Sequence, residues 1–255
     1  VDQGFVNIAN ETAISFTFSS AEVGSTYDYT FSSLGGGANV TGTGTITAAT
    51  DQITGIDLSG LGDGTITLSV TLTDTNSNTG SAATDTKTKD TSAPNGYTAT
   101  IDQSPINLGN ESAVSFTFAG AEVGTTYNYT FSSSGGGTNV TGSGTTATAT
   151  DKITGIDLSG LGDGTITLSV ALTDAVNNTG VAATDTETKE TVPPSGYSVT
   201  IDQSPINAGN ETAISFTFAA AEAGTTYDYT FSSSGGGANV TGSGTITTAT
   251  DQISG

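Results

Sequence analysis

With no His or Cys and only four Lys, the side chains of this chain that could do chemistry are carboxylates, amides and hydroxyls. Asp74-Thr75-Asn76-Ser77-Asn78 sets oxygen donors at alternate positions, the spacing of an oxygen-rich calcium loop. Its counterpart, Asp174-Ala175-Val176-Asn177-Asn178, carries valine at a ligand position, and the glycine that such a loop turns on is absent. The alternative, which these departures favour, is an Asx-type hairpin turn in which Asp and Asn bond their own backbone. The chain has no His and no Cys, so a hydrolase would need two carboxylates in a cleft. Asp57 with Asp63, and Asp157 with Asp163, are close in sequence, but a tight turn accounts for both pairs. No catalytic residue is assigned, and the chain is read as not an enzyme. A Lys-to-Asn crosslink is disfavoured because Lys152 is replaced by Gln52 and Gln252 at equivalent positions. Sequons such as Asn128-Tyr129-Thr130 are expected by chance in so Asn- and Thr-rich a chain.

Charge narrows the partners. The 255 residues hold 25 Asp plus Glu against four Lys, a formal net charge of -21. Nucleic-acid binding needs a cationic face to displace counterions from phosphates, and four scattered lysines cannot make one. Anionic membrane surfaces are disfavoured on the same ground. No stretch approaches the roughly 20 apolar residues that cross a bilayer as a helix, so no membrane insertion is expected. Without Cys there is neither a disulfide nor a thiolate metal cluster.

These groups must be held by a repeated scaffold. Ile101-Asp102-Gln103 returns as Ile201-Asp202-Gln203, and Gly35-Gly36-Gly37 returns at Gly135 and Gly235, a period of 100. Residues 51–90 and 151–190 differ at eight of forty positions, so identity between units says little about which residues matter. The period is too long for a solenoid coil and suits a small sandwich domain. The expected division is 1–93, entered part-way through a unit, a complete unit at 94–193, and an incomplete unit at 194–255 that stops at the counterpart of Gly55 and Gly155. The natural chain is expected to be longer.

Within the second unit apolar and polar residues alternate. Ile166, Leu168, Val170 and Leu172 alternate with Thr167, Ser169 and Ala171, and Tyr127, Tyr129 and Phe131 alternate with Asn128 and Thr130. Each run reads as a strand with one buried face. Gly109-Asn110, Gly135 to Gly137, Gly162-Asp163-Gly164 and Asn177 to Gly180 read as turns between them. About seven short antiparallel strands per unit, with nothing at helical spacing, predict an all-β, immunoglobulin-like sandwich, repeated as beads on a string. Linkers fall at Thr91-Ser92-Ala93-Pro94 and Thr191-Val192-Pro193-Pro194, where proline stiffens the connection and denies amides to edge pairing.

Gly162-Asp163-Gly164-Thr165-Ile166-Thr167-Leu168, then Leu172-Thr173-Asp174, then Asn178-Thr179-Gly180, followed by an Ala/Thr strand and a Pro linker, resembles the bacterial immunoglobulin-like repeats of large surface adhesins and biofilm proteins. The resemblance implies extended extracellular stalks on a bacterial cell surface, often stiffened by calcium between domains. In a seven-strand sandwich the loops carrying Glu122 and Asp174 lie at the leading end, near the preceding unit's exit at Asp90, and Glu222 should face Glu190 in the same way. Asp90, Glu122, Asp174, Glu190 and Glu222 are therefore candidate inter-domain calcium ligands, solvated surface charge being the alternative. The expected partners are neighbouring repeats of the same chain, or identical chains in a fibre. A cell-surface or glycan target would be met through regions outside this sequence. Three functions remain: a structural stalk, a self-assembling extracellular filament using strand donation, and a glycan-binding module.

Overall fold

The computed structural model describes residues 1–254; Gly255 lies outside the described residues. The chain divides into two compact units, Val1–Glu190 and Thr191–Gly255. The first unit holds two repeats, each built from strands whose apolar positions alternate. Strands of the first repeat are β1 (Ile14–Thr17), β2 (Thr26–Ser33), β3 (Val40–Thr45), β4 (Gln52–Ile56), β5 (Gly64–Thr73) and β6 (Ala83–Lys89). The second repeat adds β7 (Thr98–Ile101), β8 (Ile106–Asn107), β9 (Val114–Ala119), β10 (Thr126–Ser133), β11 (Val140–Thr145), β12 (Lys152–Ile156), β13 (Gly164–Thr173) and β14 (Ala183–Glu190). A single turn of 3-10 helix, Glu111–Ala113, precedes β9.

In the second repeat the strands form two sheets, ordered β11-β10-β13-β14-β8 and β12-β9-β7. All pairings are antiparallel except β8 with β14, where Ile106 lies beside Lys189 in parallel. The chain thus enters on one sheet as β7 and crosses to the other as β8, both on the β14 side of the sandwich. The inner faces meet through aromatic rings. Phe116 of the smaller sheet packs edge-on to Tyr129 of the larger at 5.4 Å between centroids, a favoured geometry for aromatic pairs. Ile166, Leu168, Val170 and Leu172 are all buried, the inward set that alternation along β13 predicts.

The Gly-rich strand β11 has a specific use. Gly142 and Gly144 pair with Tyr129 and Tyr127, and the two rings lie across them, so that a Cβ on either glycine would sit about 2.5 Å from a ring atom. The tyrosines cover the edge that the glycines leave bare, a cross-strand pairing that fixes register. Burial raises the phenol pKa of both rings.

The first repeat reproduces this plan with sheets β3-β2-β5-β6 and β1-β4, and with Val6 bridged in parallel to Lys89 in the position of β8. β1 is two residues shorter than β9. Its core is separate from that of the second repeat.

The second unit carries β15 (Ser198–Ile201), β16 (Ser215–Ala219), β17 (Thr226–Phe231), β18 (Val240–Thr245) and β19 (Gln252–Ser254), ordered β15-β16-β19 and β17-β18. Its core is small, centred on Phe216, Phe218, Ala221 and Ile246.

Candidate inter-repeat joint

The predicted oxygen loop is a hairpin turn. In the second repeat the Asp174 carboxylate accepts the backbone N–H groups of Val176 (2.9 Å) and Asn178 (2.8 Å) through Oδ1, and the Asn178 amide (2.8 Å) through Oδ2. The turn closes with Asn177 in the left-handed region, at φ 66°, a conformation that Asn tolerates better than most residues. Asp74 makes the same bonds to Asn76 and Asn78 in the first repeat. There the bonds from Asn78 and Asn76 hold the Asp74 carboxyl below the usual carboxylate range. Thus each Asp carboxylate is spent on its own turn.

The two copies of this hairpin differ in what covers them. Asp74 to Asn78 is open to solvent over most of its length, whereas Asn178 is only 1% exposed. Asn178 is covered by the exit of the first repeat. Its Nδ2 donates to the Asp90 carbonyl at 2.9 Å, and its Oδ1 accepts the Ile8 N–H at 3.4 Å. Asn7 Nδ2 donates to the Val176 carbonyl at 2.7 Å. An amide suits this position because it donates and accepts at once, while a carboxylate only accepts.

The linker between these repeats is gripped from both sides. On the first repeat, Asp63 accepts the Thr91 N–H at 3.0 Å and both the Thr91 and Ser92 hydroxyls. Burial works to raise the Asp63 pKa, but the bonds from Thr91 and the Lys89 ammonium outweigh it and hold the carboxyl low. On the second repeat, the Pro94 carbonyl lies so close over Gly180 that a Cβ there would meet it at 2.1 Å. Beyond it, the Tyr97 hydroxyl donates to the Val181 carbonyl at 2.7 Å and accepts the Leu172 N–H at 3.1 Å. The Ile101 N–H then reaches Asp185 Oδ2 at 2.8 Å.

A buried lysine anchors the strand that feeds each exit. Lys189 donates to the Leu158 and Leu161 carbonyls at 3.0 and 2.5 Å and pairs with Glu111 Oε2 at 2.8 Å, so all three ammonium protons are used. Lys89 pairs with Glu11 at 2.9 Å and Asp63 at 3.3 Å. Burial works to lower the Lys89 pKa, but these two carboxylates outweigh it and raise the value.

The five proposed calcium ligands are distributed as follows. Asp174 and Asp90 do come together at the joint, but through the Asp90 backbone carbonyl and the Asn178 amide; the Asp90 carboxylate accepts the Ser92 N–H at 2.9 Å. Glu122 is exposed, and its backbone carbonyl accepts the hydroxyls of Thr125 and Thr146 at 2.8 and 2.6 Å. Glu190 is exposed at the end of β14, and Glu222 is exposed in the second unit. Among the described residues no three acidic side chains gather into a group that could hold a metal ion.

Of the residues that make the joint, Asn178 and Gly180 were read from the sequence as parts of a turn, and Asn7 was not singled out, nor were Lys89 and Lys189. One signal was present: two of only four lysines fall at the same position of successive repeats, each in phase with inward-facing residues of its strand.

No protein-family model matches the chain, and no curated protein matches it. Among solved structures it is similar to a tetra-tandem repeat in the extending region of a large adhesion protein, at 22% identity and a TM-score of 0.33, covering 96% of this chain. The chain spans 61% of that structure's length. It is also similar to a two-domain fibronectin type-III segment of chicken tenascin, at 13% identity, a TM-score of 0.30, and coverage of 70% of this chain and 93% of that one. Fibronectin(III)-like modules of CbhA from Clostridium thermocellum match at 12% identity, a TM-score of 0.37, and coverage of 75% and 91%. The assignment as tandem immunoglobulin-like sandwiches rests on the strand order and separate cores described above. No helix of the described residues is long and apolar enough to cross a membrane.

Proposed function

We propose that this chain is a run of extender repeats: non-catalytic sandwiches that lengthen an extracellular stalk of the bacterial adhesin kind and hold other regions away from a surface. The observation that carries this reading is the joint between the first two repeats. A free linker would make no bonds to the domains that it connects. Instead each side of the connection from Asp90 to Tyr97 is bonded to a neighbouring core. A joint of that kind transmits orientation from one repeat to the next, which is what a spacer requires.

The strong negative charge supports the same reading, since like-charged stalks repel laterally and stay soluble. So does the absence of thiols, which suits an oxidising exterior. The joint in this reading needs no metal, because hydrogen bonds within the protein already engage the Asp174 carboxylate. Melting in calcium and in chelator should therefore coincide, and a rise with calcium would give the role to the candidate carboxylates instead.

The test of extension is small-angle scattering on arrays of increasing repeat number. A ten-residue strand spans about 33 Å, so each repeat with its linker should add about 40 Å to the maximum dimension. A maximum dimension that grows far less than this, as for collapsed or freely jointed repeats, would refute the proposal.

A further inference from the structure

The linker between the first two repeats holds an electrophile and a nucleophile side by side. Asn95-Gly96 is the single Asn-Gly pair of the chain, and each of the other 14 asparagines precedes a residue with a side chain. The pair lies between the two grips on the linker. Pro94 and Tyr97 on either side are buried, the first with its carbonyl over Gly180 and the second bonded to Val181 and Leu172, whereas Asn95 and Gly96 are exposed. Asn95 Nδ2 donates to the Ala93 carbonyl at 3.2 Å, an exposed bond whose opening lowers the reactive population by about tenfold at most. Among the described residues no hydrogen bond engages the Gly96 N–H, and a Cβ at Gly96 would meet nothing within 4 Å. The Asn95 side-chain carbonyl carbon can therefore be approached by the Gly96 nitrogen without displacing either repeat.

We propose that Asn95-Gly96 is a self-modification site, at which the folded chain converts Asn95 to aspartate and isoaspartate with water as the only co-reactant. In the first step the Gly96 nitrogen bonds to Asn95 Cγ and the bond from Cγ to Nδ2 breaks. Nδ2 leaves as ammonia, carrying the proton that the Gly96 nitrogen gives up, and a five-membered imide ring remains. In the second step water adds across one of the two ring C–N bonds, its hydroxyl going to the carbonyl carbon and its proton to nitrogen. Opening on the side-chain side gives aspartate, and opening on the main-chain side gives isoaspartate. The equivalent place in the next linker is Ser195-Gly196, which has no amide to lose.

The position of the site gives the change a consequence. Isoaspartate routes the main chain through the side-chain carbon, which lengthens the connection between Pro94 and Tyr97 by one carbon–carbon bond of about 1.5 Å. The Tyr97 hydroxyl bonds at 2.7 and 3.1 Å and the close seat of the Pro94 carbonyl on Gly180 are set for the shorter connection. Slack of that size exceeds the range over which a hydrogen bond keeps its strength, so the joint loosens. This goes beyond the extender reading, because it gives the orientation of the second repeat on the first a finite lifetime. The loosening rests on the joint described above, while the conversion itself does not.

The experiment is timed incubation of the 255-residue chain in mildly alkaline buffer, with peptide mass spectrometry at each asparagine and fragmentation that separates isoaspartate from aspartate. Position 95 should convert about tenfold or more faster than any other asparagine, a barrier lower by about 1.4 kcal/mol or more. Its rate should rise with hydroxide and should lie within about tenfold of the rate in urea, because only the bond to Ala93 protects it. In the converted chain the Leu172 amide should exchange hydrogen about tenfold faster, the equivalent of one lost hydrogen bond. Asn95→Ser, which carries the residue found at 195, should show no ageing of that amide. Conversion at 95 no faster than elsewhere overturns the proposal, and so does a folded rate about a hundredfold or more below that in urea. Unchanged exchange at Leu172 in the converted chain overturns the loosening. The mass measurements do not depend on the extender reading, which scattering on arrays of fresh chain tests separately.

Discussion

Replacing Gly180 by alanine adds one methyl group at the joint, and the first repeat supplies its own control. The new Cβ at 180 would stand 2.1 Å from the Pro94 carbonyl oxygen, whereas at Gly80 the nearest atom, the Leu72 carbonyl oxygen, is 3.7 Å away. A backbone oxygen cannot rotate aside as a side chain can, so the linker must move by an ångström or so. That shift pulls on the 2.9 Å bond from Asn178 to Asp90 and on the Tyr97 hydroxyl. Overpacking of this kind costs about 1–3 kcal/mol. Gly80→Ala meets ordinary contact and restricts the unfolded chain, so its effect should be near zero or stabilising by up to about 1 kcal/mol. Neither glycine has a positive φ, so backbone strain does not separate the two substitutions. Urea unfolding, with hydrogen exchange at the Leu172 and Ile101 amides, reads both variants. Faster exchange at those amides in G180A alone supports the joint, and equal behaviour of G180A and G80A would refute the close packing on which it depends.

Other substitutions probe neighbouring contacts. Asn178→Ala removes two bonds to the first repeat and one to a carboxylate, and should cost about 2–4 kcal/mol in urea unfolding. Asn78→Ala lacks the cross-repeat bonds and should cost clearly less. Lys189→Met strands Glu111 in a nearly buried site and should cost about 3 kcal/mol or more, with Lys189→Met/Glu111→Leu recovering most of it by calorimetry. The Asp63 carboxyl is held below 3.8, so its contribution is complete above that value and is lost as pH falls through the lowered one. Lys89 is raised above 10.5, so its contribution is complete below that value and is lost as pH rises through the raised one. Unfolding followed from about pH 5 to about pH 2 should therefore show a destabilisation that Asp63→Asn flattens.

Much of the fold was legible because buried strands announce themselves by alternation, and β10 and β13 carry it without interruption. β8 was not, since its two residues, Ile106 and Asn107, are too few to alternate, and its place is set by parallel pairing with β14. β14 was read as an Ala/Thr strand, but beyond Ala183 its inward face is Asp185, Glu187 and Lys189, whose inward setting no hydrophobic pattern would mark. Asp185 turns inward to cap the incoming Ile101 amide, and Lys189 to fill its three bonds. At the joint, topology pointed to Asp90, Glu122 and Asp174; the Asn178 amide bonds the Asp90 carbonyl and the Asp174 carboxylate, while the Glu122 carbonyl is bonded by Thr125 and Thr146. What could not be read was that the Asp174 carboxylate would be consumed by its own turn, leaving the contact to a backbone carbonyl and to Asn178. Charge is visible in a sequence, but a bridging amide is not distinguished from the many other asparagines. Gly180 was read as a turn residue, and its role is instead to make room for Pro94.

The account turns on whether the hairpin at Asp174 to Asn178 fixes the second repeat onto the first without a metal. Residual dipolar couplings for the amides of residues 1–190, measured in weakly aligned solution with chelator present, test this directly. A single alignment tensor should fit both repeats, with couplings at Asn178 and Asp90 included. Two tensors of different magnitude for the two repeats, merging only when calcium is added, would contradict it.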